Sequence, residues 1–261
     1  MGYEFIAVEQ VSPGISLLTV SRPEALNALN PKVLENLERT LTDLEKDNSL
    51  RALIVTGAGE KAFVAGADIA SMKGYTDKDG KKLAELGHRV FGKLADFPRP
   101  TIAAVNGFAL GGGLELALSC DVLLASEKAR LGLPEVTLGL IPGWGGTQRL
   151  LLRVGPGKAK EMIFSGDPIK ADEAFRIGLA DRLVAPEKLL DEAKALAATI
   201  ASRGPEAIRR AKQAVATGLK GGLEAGLAME RKLFADCFTT QDTAEGIAAF
   251  LEKRKANFQG E

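Results

Sequence analysis

The sequence predicts an α/β chain whose first half is strand-rich and whose second half is mainly helical. Three observations predict it. Short apolar runs bounded by Gly, Pro or Asn recur up to about residue 125, as buried strands do. Beyond about residue 146, apolar residues recur at helical spacing to the end. The 261 residues contain no linker-like or low-complexity stretch, and a chain of that length buries a sizeable core.

Residues 4–9 and 14–20 read as two strands around Ser12-Pro13-Gly14, and Arg22-Pro23 stops the second. Asn30-Pro31 opens a helix, with Asn as N-cap and Pro at the first helical position. Val33, Leu37, Leu41 and Leu44 follow on one face. Residues 52–56 read as a buried strand ending at Gly57-Ala58-Gly59, and 62–68 as an extended segment closing in a loop. Residues 70–82 are polar and either flexible or helical; a helix over 83–96 ends at Phe97-Pro98-Arg99-Pro100. A strand over 101–105, a glycine-rich connection over 106–113, a helix over 114–119 and a strand over 121–125 follow. Helices are then expected over 147–154, 157–165, 171–177, 186–202, 205–218, 223–237 and 242–255. We divide this continuous chain into a core, 1–200, and a helical region, 201–261. The amphipathic tail suits packing on a neighbouring subunit.

Lys+Arg and Asp+Glu each number 34. That balance disfavours nucleic acid as partner, since phosphate binding needs a basic surplus. Aromatic residues make up 5 %, which leaves few stacking platforms for single strands. His88 is the single histidine, so a histidine zinc cluster is excluded and a histidine triad has one candidate. Beside Arg89 and with no acid or nucleophile spaced for it, His88 reads as solvated. Cys120 and Cys237 read as small core residues in a reducing compartment. The N-terminus shows no signal-peptide pattern and no stretch approaches 18 apolar residues, so a cytoplasmic location is expected, or the mitochondrial matrix for a processed chain. The lysines at 78, 81 and 82 read as a solvated face.

Chemistry has three candidate places. Gly111-Gly112-Gly113 precede the apolar Leu114-Glu115-Leu116-Ala117-Leu118. Their N–H groups would sit at the positive end of a helix, a site for a negatively charged oxygen. Glu115 stands three residues after Gly112 on the same face, and desolvation should raise its pKa. Tight helix packing explains the glycines equally well. Glu135 lies in an irregular apolar stretch between Pro134 and Pro142, before Gly143, Gly145 and Gly146 open a helix; a solvated turn is the alternative. Two such carboxylates suit paired acid and base work without a metal. Phe63-Val64-Ala65-Gly66-Ala67-Asp68 could supply a second N–H, or be a tight turn with Asp68 as N-cap.

Taken together, three segments resemble the crotonase (enoyl-CoA hydratase) superfamily: Ala65-Gly-Ala-Asp-Ile69, Asn106-Gly-Phe-Ala-Leu-Gly-Gly-Gly-Leu-Glu115, and Leu133-Pro-Glu135-Val with Gly139-Leu-Ile-Pro-Gly143-Trp-Gly-Gly-Thr-Gln-Arg-Leu150. Arg22-Pro-Glu-Ala-Leu-Asn-Ala-Leu29 and Phe250-Leu-Glu-Lys253-Arg-Lys-Ala-Asn-Phe258 are similar too, so the resemblance spans nearly the whole chain. It implies a spiral of repeated ββα units with C-terminal helices that trimerise, and a trimer or dimer of trimers. It implies reversible syn hydration of a 2-enoyl-CoA by a hydro-lyase, in fatty acid β-oxidation or related metabolism. CoA travels on the substrate, and no separate cofactor or metal is implied.

The resemblance further implies Glu115 and Glu135 as catalytic acids, Ala67 and Gly112 as oxyanion-hole donors, and Gly143 as support for the catalytic water. It places CoA against Ala25, Leu26, Ala67, Asp68, Ile69 and Ala70, with Lys61 near the nucleotide. Related hydratases often carry Lys where Ala70 stands, which implies one contact fewer here. Phe250 and Lys253 match residues that complete the CoA pocket, in relatives from the neighbouring subunit. Trp144, where smaller residues are frequent, is expected to narrow the acyl pocket and favour short chains. The main rival is a double-bond isomerase, which usually lacks an acid at position 115; a hydratase for branched or aromatic acyl groups stays open. Gly57-Ala-Gly59 superficially resembles a dinucleotide fingerprint but no βαβ pattern follows. A catalytically silent binding protein is disfavoured by charge and by both acids.

Overall fold

The computed structural model describes residues 2–261. Met1, part of the N-terminal stretch read for a signal, lies outside them. In chain order the strands and helices are β1 (Gly2–Tyr3), β2 (Ile6–Ser12), β3 (Ile15–Val20), α1 (Pro31–Glu45), β4 (Ala52–Gly57), β5 (Ala62–Val64), α2 (Asp77–Ala95), β6 (Thr101–Val105), β7 (Phe108–Leu110), α3 (Gly112–Ala117), β8 (Val122–Ser126) and β9 (Arg130–Gly132). There follow α4 (Gly146–Ser165), β10 (Ile169–Lys170), α5 (Ala171–Arg176), β11 (Arg182–Val184), α6 (Leu189–Ala201), α7 (Pro205–Cys237) and α8 (Gln241–Leu251). Short 3₁₀ turns cover Pro23–Ala25, Ile69–Met72, Pro134–Leu138 and Pro186–Lys188.

Two sheets form. The larger has the order β1-β2-β3-β4-β6-β8-β11 and the smaller β10-β9-β7-β5. From β3 to β11 the large-sheet pairings are parallel, as are β5 with β7 and β7 with β9. The chain repeats one path: a large-sheet strand, a small-sheet strand, then helix. It runs β4–β5–α2, β6–β7–α3, and β8–β9 followed by the 3₁₀ turn and α4. This is the expected spiral of ββα units.

The central strands are buried on both faces, and their side chains alternate between two cores. Leu53, Val55, Ala103, Val105, Leu123 and Ala125 join the core beneath α1, α2 and α3. Ile54, Ile102, Ala104 and Leu124 face the other way, against Leu189, Ala193 and Ala197 of α6. Period-two alternation in one continuous apolar run thus fills two layers.

Most expected elements are present, with shifted ends. Asn30 caps α1 by accepting from Val33 N–H at 2.9 Å. The polar stretch 70–82 resolves into a 3₁₀ turn and the start of α2, which begins six residues before the expected 83. A capping box, Thr76 with Asp79, starts it. The breaks expected in the helical half fall at Gly155 and Gly222, both with non-helical backbone. The last helix stops at Leu251, short of the expected 255, and Lys253 has φ of 56°. Strands β7, β9, β10 and β11 lie where a loop or nothing was expected. They are two or three residues long, so pairing with neighbours rather than local pattern makes them strands.

α7 buries only Leu233 among its side chains. Lys212 meets Asp121 at 2.7 Å and Lys220 meets Asp96 at 2.6 Å, which tie α7 to the ends of the sheet connections. Buried Asp242 accepts from the N–H groups of Gln259 (2.7 Å) and Gly260 (2.9 Å), clasping the C-terminal tail to α8. Cys120 is buried, and burial pushes its thiol up to about 12. Cys237 is only half-buried at the end of α7, not a core residue as expected.

Candidate active site

Strands β5, β7 and β9 run parallel and end side by side, with Val64 opposite Ala109 and Leu110 opposite Gly132. Each then delivers one part of a common site. Neighbouring strands lie about 4.8 Å apart, so what leaves their ends meets.

From β5 the chain reaches Ala67. Leu29 N–H donates to Gly66 O (2.9 Å) and Asp68 N–H donates to Leu29 O (2.8 Å). This parallel bridge between Leu29 and Ala67 turns the N–H of Ala67 itself the other way. Among the described residues no acceptor takes that N–H.

From β7 the chain turns at Gly111, with φ of 50° and ψ of −123°, a conformation that excludes a side chain. Gly111 N–H donates to Gly132 O at 2.9 Å, so β7 and β9 are joined at the turn. α3 starts next, and the N–H of Gly112, its first residue, has no carbonyl of the helix to reach. Glu115, 1 % exposed, points into the protein. Its Oε1 accepts from Trp144 N–H (2.8 Å) and from Gly146 N–H (2.7 Å), the first N–H of α4. Burial raises its pKa, while these two bonds and the Arg149 guanidinium pull it back.

From β9 comes Glu135, on the 3₁₀ turn Pro134–Leu138. Its Oε2 is buried and, among the described residues, has no hydrogen-bond partner. A Cβ on Gly111 would lie 2.9 Å from its Oε1, so the carboxyl rests against bare backbone. Burial first, and the nearby charge of Glu115 second, push its pKa up to about 7. The two carboxyls therefore feel each other.

The two stretches expected against CoA are joined by hydrogen bonds and an ion pair. Arg22 pairs with Asp68 at 2.9 Å and donates to Ala28 O at 3.0 Å, and Ala65 N–H donates to Leu26 O at 3.0 Å. Buried Asn27 donates to Ala58 O and Ala62 O. The turn carrying Ala25 and Leu26 is thereby tied to the stretch 65–68, which continues through Ala67 and Asp68 into Ile69 and Ala70, with exposed Lys61 just before β5. Asp68 precedes its 3₁₀ turn without capping it, because its carboxylate is held by Arg22. Phe250 is 83 % exposed and Lys253 is exposed just past α8, with no hydrogen bond or ion pair to the stretch 67–70 among the described residues.

Gly143 lies one residue before Trp144; the N–H groups that reach Glu115 are those of Trp144 and Gly146. The Trp144 ring, expected on an acyl pocket, is 4 % exposed and packed in the core. Its backbone serves the site. Sequence reasoning missed Arg149, whose guanidinium donates to Trp144 O at 2.9 Å. It also missed Asn106, which donates to Gly57 O and Gly59 O and pins the β6–β7 turn to the β4–β5 turn. The Gly145-Gly146 pair before a helical pattern was the available signal for the donors to Glu115. His88 is exposed on α2, and no group of three His, Cys, Asp or Glu among the described residues is placed to hold a metal. The Gly57–Gly59 turn leads into β5 rather than a helix, so it is not a dinucleotide-binding loop.

The family model described as enoyl-CoA hydratase/isomerase matches residues 10–261. The chain belongs to this family. The short-chain-enoyl-CoA hydratase of Clostridium acetobutylicum is 48 % identical over 241 residues, covering 92 % of each chain. The crotonyl-CoA hydratase of Syntrophomonas wolfei is 47 % identical over 258 residues, covering 99 % of each. The crystal structure of an enoyl-CoA hydratase from Bacillus anthracis superposes with a TM-score of 0.95 at 41 % identity, covering 98 % of this chain and 100 % of that one. The expected activity, hydration of an enoyl-CoA by a hydro-lyase, agrees with these enoyl-CoA hydratase relatives.

Proposed function

We propose that the site hydrates short 2-enoyl-CoA thioesters, with Glu115 and Glu135 as a split acid–base pair. The observation that carries it is the contrast between them: one carboxylate oxygen held by two N–H groups, the other buried and unpartnered. The thioester carbonyl oxygen accepts from Ala67 N–H and Gly112 N–H. Charge grows on that oxygen as the enolate forms, and losing one such donor typically costs about 3 kcal/mol. Glu115 takes a proton from water as the water oxygen bonds to Cβ and the C–C π electrons move toward the thioester. Gly143 supports that water through its N–H in this reading, as the family resemblance implies. Protonated Glu135 gives its proton to Cα, the enolate collapses to 3-hydroxyacyl-CoA, and solvent resets both carboxyls. Dehydration runs the same steps backwards, and the proton balance needs no added cofactor.

A glutamate at position 115 favours hydratase over isomerase. Ala25, Leu26, Ala67, Asp68, Ile69, Ala70 and Lys61 form the CoA side of the cleft. We assign residues 201–261 to oligomerisation, as a trimer or dimer of trimers. α7 leaves Leu223 78 % exposed, with Leu219, Phe234 and Phe238 also bare, and a groove of about 550 Å³ runs between its two halves. Phe250 and Lys253 then complete a neighbour's CoA pocket. We assign the reaction to the cytoplasm and to β-oxidation or related thioester metabolism, a reading supported by the enoyl-CoA hydratase names of the bacterial relatives. No helix among the described residues is long and apolar enough to cross a membrane.

The test is hydration of crotonyl-CoA followed by loss of enoyl-thioester absorbance. Glu115→Gln and Glu135→Gln should each slow it by about 10²–10⁴-fold while remaining folded. Unimpaired turnover in either variant would sink the assignment.

A further inference from the structure

We propose that Trp144 is a positioning residue that locks α2, the donor Gly112 and the carboxylate of Glu115 into one unit. The inference rests on the acid–base reading above. Trp144 serves the site with its backbone and α2 with its side chain. Its N–H donates to Glu115 Oε1 and its carbonyl accepts from Arg149. Its indole N–H donates to Leu83 O on α2 at 3.2 Å, and its ring meets Phe91 edge-on with centroids 5.5 Å apart. The same ring is wedged between Gly87 of α2 and Gly112 of α3, and a Cβ on either glycine would overlap the indole.

A rigid ring clamped by two glycines transmits displacement rather than absorbing it. A shift of α2 therefore reaches the oxyanion donor through the ring and the Glu115 carboxylate through the backbone of the same residue. The chain runs from the thioester segment through Ile69–Met72 into α2, so α2 lies next in sequence to the substrate's proposed seat. A misplacement of about 1 Å in a reacting group can cost about 10²-fold in rate.

Trp144→Leu keeps the backbone N–H and removes the ring. It should lower kcat on crotonyl-CoA about tenfold while KM stays within about twofold. Trp144→Phe, which keeps a ring between the glycines, should recover most of that loss. Gly87→Ala, on α2, should reproduce the kcat loss by pushing on the indole. The double variant Gly87→Ala/Trp144→Leu should be no slower than Trp144→Leu, since the overlap is gone. Unchanged kcat in folded Trp144→Leu, or additive losses in the double variant, would overturn the proposal.

Trp144 is also the only tryptophan of the chain, which gives a readout on the unaltered protein. Butyryl-CoA carries the thioester carbonyl without the double bond and should shift the tryptophan emission as it binds. Unchanged emission at concentrations that fully block crotonyl-CoA hydration would equally overturn the coupling. Wild-type kcat in Trp144→Leu beside an inactive Glu115→Gln rejects the positioning role alone; an active Glu115→Gln rejects the acid–base reading.

Discussion

Glu115 and Glu135 are the same residue in two settings, and the proposed mechanism divides the work between those settings. Glu115 sits on a helix deep in the core, with one oxygen fixed by two N–H groups and a guanidinium nearby. Glu135 sits on a 3₁₀ turn against the bare backbone of Gly111, with an unpartnered buried oxygen. Donors favour the charged form and desolvation favours the neutral one. Held by donors, the first carboxyl is suited to accept a proton. With one oxygen unpartnered and its pKa pushed up to about 7, chiefly by burial, the second is suited to give one. On the proposed reading, two identical side chains become a base and an acid through their surroundings.

The largest test of this division is the pair of glutamine variants. Both should fall by about 10²–10⁴-fold in hydration, but their pH profiles should differ. In the wild type, hydration needs Glu135 protonated, so the rate should fall as pH rises through about 7, approaching about tenfold per pH unit beyond it. Dehydration, which needs the same group ionised, should rise over that range. Glu135→Gln should abolish this limb and Glu115→Gln should keep it; a retained limb in Glu135→Gln would reassign the acid.

A smaller effect isolates the donors to Glu115. A Cβ on Gly146 would lie 2.9 Å from its Oε1, so Gly146→Ala should displace the carboxylate and lower kcat about tenfold. The Glu135 limb should stay in place, as a pH–rate profile would show. The smallest effect is on stability. The folded-state pKa of Glu135 lies above its ordinary value, so the native state holds more protons between the two values. Stability then declines as pH rises from the usual carboxylate range to about 7. Glu135→Gln removes that loss and should raise the urea midpoint at pH 8 more than at pH 5. An equal gain at both would mean the carboxyl is not buried at a cost.

Much of this was legible in the chain. The alternating apolar runs of β4, β6 and β8, the Asn30-Pro31 cap and the Gly155 and Gly222 breaks all follow local rules that the structure keeps. The glycine run before Glu115 announced a helix start beside an acid. Less legible were the short strands β7 and β9, because three residues form a strand only when partners supply the hydrogen bonds. The donors to Glu115 lie about thirty residues downstream, where another helix begins, and no local spacing encodes such a meeting. Trp144 misled for a related reason. Sequence shows a bulky residue in a glycine-rich loop; only the fold shows that Gly87 and Gly112 make room for it.

β5, β7 and β9 deliver the proposed working groups, Ala67, Gly112 with Glu115, and Glu135, from the same end of the small sheet. The separations among those groups are set by strand spacing, which replacement of a side chain barely alters. Loops beyond that end can change length and composition without moving the frame that carries them. A lineage built on such a frame can drift in the acyl groups it accepts while its reaction is inherited unchanged.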